Sequence, residues 1–245
     1  MESASYLEHL HHDGDALAAA AAAAPAAEVP SCPGWQMTDL VAHAGGVHAW
    51  VEQIVSTKAQ RYVARTIDPP EDMAALVAWY RDGLHSLLAA FGATGPEEHV
   101  WNWRDRGPGP AQFWFRRMAQ ETAIHRWDAQ NAASPGGASA IASDLALDGI
   151  DEYLSFVRAW LAHQPVPGLH GSLHLHATDG EGEWTLDLRP EGFDEIREHR
   201  KSDTAIRGAA SDLYLWMLNR IPADHPRLQR FGGDDVVKAW AELKF

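Results

Sequence analysis

The chain has 245 residues, a formal net charge of −14 with histidine neutral, and a pI near 5.3. That length suits one large domain or two modest ones, either able to bury a real core. The acidic balance argues against nucleic-acid binding or adhesion to an anionic membrane, both of which need clustered Lys and Arg, so the expected partner is a small molecule.

Cys32 is the single cysteine, which excludes an intramolecular disulfide and makes the cytoplasm the expected compartment. The first element is a helix from about Ser5 to Ala24, ended by Pro25. Its alanine run, Ala16 to Ala27, is too short and too weakly apolar to span a bilayer. It follows Glu8, Asp13 and Asp15 rather than the basic leader of a signal peptide, so it reads as a small-residue packing face.

A second helix is predicted from Met37 to Thr57, after the loop Ser31-Cys32-Pro33-Gly34-Trp35, with Asp39 in its first turn where a negative charge suits the dipole. A third runs from about Glu71 to Phe91. A fourth runs from Pro110 to Ala133, between the loop Arg104 to Gly109 and the punctuation of Ser134 to Gly137. A helix from Asp144 to His163 then closes a bundle over residues 1–164.

The pattern changes after Pro165-Val166-Pro167-Gly168. Leu173, Leu175 and Ala177 alternate with His174, His176 and Thr178, and Trp184, Leu186 and Leu188 alternate with Thr185, Asp187 and Arg189, about the turn Asp179-Gly180-Glu181-Gly182. That is a hairpin. An extended piece at Asp203 to Arg207, a helix from Ser211 to Asn219 capped by Ser211 or Asp212, a short strand at Leu228 to Phe231 and a closing helix from Asp234 to Leu243 complete residues 165–245. The expected fold class is mainly α plus α/β, a four-helix bundle followed by a small α+β domain.

On a helical wheel of about 100° per residue, Trp114, Met118, Glu121 and His125 of the fourth helix share one narrow face, with Arg116, Gln120, Ala123 and Gln130 opposite. In the second helix His43 shares the apolar face of Leu40, Val47, Trp50 and Ile54, whereas His48 lies well away from it and is expected to point elsewhere. An inward Glu121 must be neutral, paired with a cation or bound to a metal, because a lone buried carboxylate costs several kcal/mol. Glu121 and His125, one turn apart, can chelate a single ion, and His43 from a facing helix completes a His, His, Glu set. Three protein ligands with a fourth position open describe a catalytic zinc site, and the same set describes the facial triad of non-haem iron, so other divalent metals fit.

The segment Val29-Pro30-Ser31-Cys32-Pro33-Gly34-Trp35, continuing Asp39-Leu40-Val41-Ala42-His43, together with Glu121-Thr122-Ala123-Ile124-His125-Arg126-Trp127-Asp128, resembles the mycothiol-dependent maleylpyruvate isomerase family. The resemblance covers nearly the whole chain. It implies a DinB-like metal-binding bundle with a smaller α/β domain behind it, and zinc ligands at His43, Glu121 and His125. It also implies an arginine of the C-terminal domain near the site, matched here by Arg220, where a guanidinium would bind an anionic substrate.

The activity so implied is a zinc-dependent, mycothiol-using isomerase or S-transferase acting on a small electrophile. The alternatives are a metal-dependent hydrolase and a protein that binds metal and ligand without turnover. Asp128, one turn beyond His125, is placed either to orient a metal-bound imidazole or to pair with Arg126 or Arg117. Trp50 and Trp114 are candidates to line the pocket, and His174 with His176 could chelate a metal as a pair, with no third ligand evident in the sequence. Cys32, His11 and His12 are weaker candidates. A monomer and a homodimer are both compatible with the sequence.

Overall fold

The computed structural model describes residues 1–243, with the chain arranged in two compact units, Met1–Ser139 and Ala140 onward.

In the first unit four long helices, α1 (Ser3–Ala23), α2 (Met37–Ser56), α3 (Met73–Thr94) and α4 (Gln112–Ala133), form the bundle, with α1 packed mainly on α4 and α2 mainly on α3. Its core contains Leu17, Ala18, Ala21, Met37, Leu40, Leu76, Tyr80 and Ala129, so the alanine run does serve as a close-packing face. Local chemistry sets the starts. Asp39 Oδ2 accepts the Gln36 backbone N–H at 2.8 Å, and Asp72 caps α3 by accepting the Ala75 N–H at 2.9 Å. The helices approach closely where glycine leaves room, since a Cβ at Gly45 would overlap the Trp79 ring and one at Gly14 would overlap Leu84.

The segment before α4 is an antiparallel hairpin, β1 (His99–Asn102) with β2 (Gly107–Pro110), so the expected loop Arg104 to Gly109 is its turn and most of its second strand, and α4 starts at Gln112. Two prolines and two glycines concealed β2, because such residues are rare inside strands. Asn102 supplies the turn: its Oδ1 accepts the Asp105 N–H at 2.8 Å and its Nδ2 donates to Asp105 Oδ2 at 2.9 Å. Trp50 and Trp114 belong to an aromatic cluster with Trp101 of this hairpin. Their indole N–H groups donate to the Val63 and Trp101 carbonyls, each at 2.8 Å. They pack the bundle against β1.

The second unit begins with α5 (Ser143–Leu161), which packs on α6 (Ala210–Met217) and on β5 (Gly192–Ile196). The compact boundary thus falls at Ser139, and α5 belongs with the sheet rather than closing the bundle over residues 1–164. Its strong apolar stripe, including Leu145, Ile150, Leu154 and Val157, is covered whichever unit receives it, so periodicity could not assign it.

A five-stranded sheet has the order β5-β4-β3-β6-β7, with β3 (Gly171–Ala177), β4 (Glu183–Arg189), β6 (Thr204–Gly208) and β7 (Gln229–Gly232); only β3 and β6 are parallel neighbours. The predicted hairpin is β3–β4, and β5 is a strand that alternation did not reveal. The N-terminus of α6 is capped by Asp179, whose Oδ1 accepts the Ala210 N–H at 2.8 Å. Ser211 and Asp212, expected as caps, instead accept from the Ile141 N–H and from Arg227. A short helix, α7 (Asp235–Ala241), ends the described chain.

Candidate metal centre

The loop before α2 builds one wall of the site. Trp35 N–H donates to the Cys32 carbonyl at 2.9 Å across Pro33 and Gly34, and Gly34 has φ +86°, the left-handed position that glycine takes in such a turn. Val29 N–H donates to the Trp35 carbonyl at 2.9 Å and closes the loop. The result sets the Trp35 ring 5.0 Å from the ring of His43 and 6.3 Å from that of His125.

His43 from α2 and Glu121 and His125 from α4 meet as the wheels predicted. His43 Nε2 lies 3.1 Å and His125 Nε2 3.3 Å from the same atom, Glu121 Oε1. One ligand atom from each residue lies within 4.8 Å of the other two. The opposite oxygen, Oε2, accepts from Arg117 at 2.9 Å. Burial pushes the Glu121 carboxyl up, but the hydrogen bonds to His125 and His43 outweigh it and hold the group well below the usual carboxylate range. The cluster is less enclosed than its apolar faces suggested: side-chain exposure is 30% for His43, 23% for Glu121 and 9% for His125.

Asp128 is fully buried, and its Oδ2 lies 3.0 Å from His125 Nδ1. Ser31 Oγ donates to Asp128 Oδ1 at 2.6 Å, and Cys32 Sγ is 3.8 Å from Oδ2. Asp128 holds a proton on Nδ1, so Nε2, which faces Glu121 and His43, is the nitrogen a metal would take once it gives up its own proton; a carboxylate in this position sets the tautomer of a metal-binding histidine. Burial lowers the basicity of His125, yet its bonds to Asp128 and Glu121 raise its pKa to about 9. Of the two arginines considered as partners of Asp128, Arg117 donates to Glu121 Oε2 and Arg126 to Asp13 Oδ1. Replacing Asp128 with Asn keeps the volume and removes the charge, and we expect Asp128→Asn to weaken zinc binding by about 10–100-fold in competition with a chromogenic chelator. An unchanged affinity would remove Asp128 from the site.

Two residues here escaped sequence reasoning. Arg117 sits one turn before Glu121, a spacing common to any helical ion pair. His48, expected to point away, is fully buried with Nε2 2.8 Å from Thr122 Oγ1, and its ring lies 5.4 Å from that of Tyr80. The wheel failed because α2 is packed on more than one side. Burial holds the His48 pKa down at about 4 against an ordinary 6.5. A group depressed on folding contributes fully above its unfolded pKa, so this stability is present above pH 6.5 and is lost as pH falls toward 4. The shift corresponds to about 3 kcal/mol. Urea midpoints should fall across that window in the wild type and fall less in His48→Gln; parallel profiles would contradict this.

Arg220 lies in the second unit, just beyond α6, where its Nη1 donates to the Leu218 carbonyl at 3.0 Å after the left-handed Asn219. Among the weaker candidates, His12 is exposed beside Asp13, and His11 forms an exposed group with Asp15 and His85.

Two histidines and a carboxylate converging on one point, with the outer nitrogen of one histidine held by a buried carboxylate, form a donor set that could hold a divalent metal with a position open for a further ligand. A helical bundle bearing that centre and followed by a small mixed-sheet unit defines the class.

Residues 7–130 match the family model described as the mycothiol maleylpyruvate isomerase N-terminal domain, and residues 144–241 match that of the MDMPI C-terminal domain. The chain belongs to the mycothiol maleylpyruvate isomerase family. Among solved structures it is similar to the mycothiol-dependent maleylpyruvate isomerase and to a histidine-to-alanine mutant of it, with 13% and 12% identity. Each likeness covers 94% of this chain and 93% of the other, with a TM-score of 0.58, and at that identity it establishes the shared fold. No curated protein matches the sequence. No helix among the described residues is long and apolar enough to cross a membrane.

Proposed function

We propose that this chain is a zinc-dependent isomerase that uses mycothiol, or a closely related low-molecular-weight thiol, to isomerise a small electrophilic substrate by reversible thiol addition. The observation that carries this reading is the approach of His43 Nε2 and His125 Nε2 to a single oxygen of Glu121, with Asp128 behind His125. Zinc at that point would hold the thiol as thiolate, which for a thiol of pKa about 8.5 raises the reactive fraction at neutral pH by about 30-fold, or about 2 kcal/mol.

The protein's own residues prepare the place. Asp128 keeps a proton on His125 Nδ1 and so frees Nε2. Arg117 holds Glu121 Oε2 and leaves Oε1 directed between the imidazoles. Trp35 covers both rings on one side and restricts water there. Arg220 is proposed, on its chemistry and its match to the family pattern, as the guanidinium that binds an anionic substrate. S-transfer by the same thiol is the variant of this reading in which the adduct does not dissociate.

The test is incubation of metal-analysed protein with maleylpyruvate and a panel of other electrophiles, with and without mycothiol. Conversion that requires the thiol supports the proposal. Conversion without thiol points to hydrolysis, and electrophiles recovered unchanged point to a binding protein; either outcome rejects it.

A further inference from the structure

The sheet unit holds a second cluster of metal-binding side chains, separate from the one above. His174 and His176 leave the same face of β3, and Glu183 at the start of β4 pairs with His176 across the ladder. His199 comes from the segment after β5, which is pinned to the sheet because Thr185 Oγ1 donates to the Glu198 carbonyl at 2.9 Å. The sequence offered only the first two as a pair; the missing ligands arrive from the neighbouring strand and from that draped segment.

All three imidazoles approach one atom, Glu183 Oε1: His199 Nδ1 at 2.7 Å, His174 Nε2 at 2.8 Å and His176 Nδ1 at 3.3 Å. Three nitrogens and one carboxylate oxygen lie mutually within 4.8 Å. Ligands around a tetrahedral zinc with bonds of 2.0–2.1 Å stand about 3.3 Å apart, so a slight outward shift makes room for the ion. A carboxylate oxygen has two lone pairs, and three ring nitrogens crowd it. A cation at the centre relieves that crowding by receiving each ring nitrogen directly. The set grades from buried His174 to exposed His199 and opens to a cavity of about 160 Å³ that Arg207 and Phe231 also line, which leaves an entry path.

We infer that His174, His176, Glu183 and His199 form a second metal site of the Zn²⁺ class, structural in kind because four protein ligands close it. Its role is to fasten the segment after β5 to the open face of the sheet. Imidazole-rich sets take Zn²⁺, Co²⁺, Ni²⁺ or Cu²⁺ ahead of Mg²⁺ or Ca²⁺. The inference does not depend on the function proposed above.

The experiment uses the full, untagged chain, stripped with chelator and reloaded with Zn²⁺, and compares wild type, Glu121→Ala, and a His176→Ala/His199→Ala variant whose changes are at accessible positions. Each variant should hold one zinc fewer than wild type and keep the other. Co²⁺ added to Glu121→Ala should give the visible absorption of four-coordinate cobalt, and adding His199→Ala to that protein should abolish it. His43→Ala serves as the background if Glu121→Ala does not fold. Equal zinc content in wild type and the double-histidine variant, or a cobalt spectrum unchanged by His199→Ala, would overturn the second site and leave the first untouched.

Discussion

Glu121→Ala is expected not to hold zinc at the proposed bundle site and so to lose at least about 30-fold of any thiol-dependent turnover at pH 7. That figure is the fraction of thiolate that zinc would supply, from a thiol pKa of about 8.5. It is a lower bound because His43 and His125 both point at Glu121 Oε1, so truncation also removes the anion that orients them. Arg117 would be left facing the two imidazoles without the carboxylate it now bonds at 2.9 Å, which disfavours a cation there further. Glu121→Gln is the informative partner, since it keeps the shape and removes the charge. Both variants should show the loss in metal analysis and in kcat with mycothiol present, while far-UV circular dichroism stays that of the wild type. Undiminished turnover in a zinc-free Glu121→Ala would end the proposed role of this centre.

Asp13→Ala is expected to destabilise the protein by about 3–5 kcal/mol, the range found when one partner of a buried ion pair is removed. Arg126 is only 2% exposed, and its Nε donates to Asp13 Oδ1 at 3.1 Å, linking α4 to α1. Its Nη1 also reaches the Ser139 hydroxyl at 2.9 Å and Gln130 Oε1 at 3.0 Å, so the guanidinium stays hydrogen-bonded but loses the Asp13 charge beside it. Exchanging both ends for apolar residues, as in Asp13→Leu/Arg126→Met, should recover most of the loss, because the cost comes from an uncompensated charge rather than from the absence of a bridge. Urea unfolding of the single and double variants measures this. A single-variant loss below about 1 kcal/mol would mean that water replaces Asp13, as happens for exposed pairs.

The same residue shows where reading the sequence stopped. Arg126 stood in the motif that suggested the family, next to His125, yet nothing nearby in the chain identified Asp13, which lies in α1, as its partner. A wheel supposes one buried stripe, and α4 is buried nearly all round: Gln120 and Ala123, placed on its outer side, are fully enclosed along with Thr122 and Asp128. A central helix keeps polar residues wherever a neighbour can satisfy them, and that neighbour is a tertiary fact.

What the sequence determined by itself was whatever repeats at short range or is tied to a turn. The four bundle helices, the β3–β4 hairpin, the loop Ser31 to Trp35 before α2 and the shared face of Glu121 and His125 all follow from periods of 3.6 or 2 and from residues that break them. His43 joined them because its own wheel also pointed inward. Only the tertiary structure decided that α5 leaves the bundle for the sheet, that His48 is enclosed against Thr122, that Asp128 stands behind His125, and that Glu183 and His199 complete a second cluster with His174 and His176. The physical reason is common to all four. Each depends on which groups the folded chain brings against a given face, and an amphipathic pattern states that a face must be covered without stating by what.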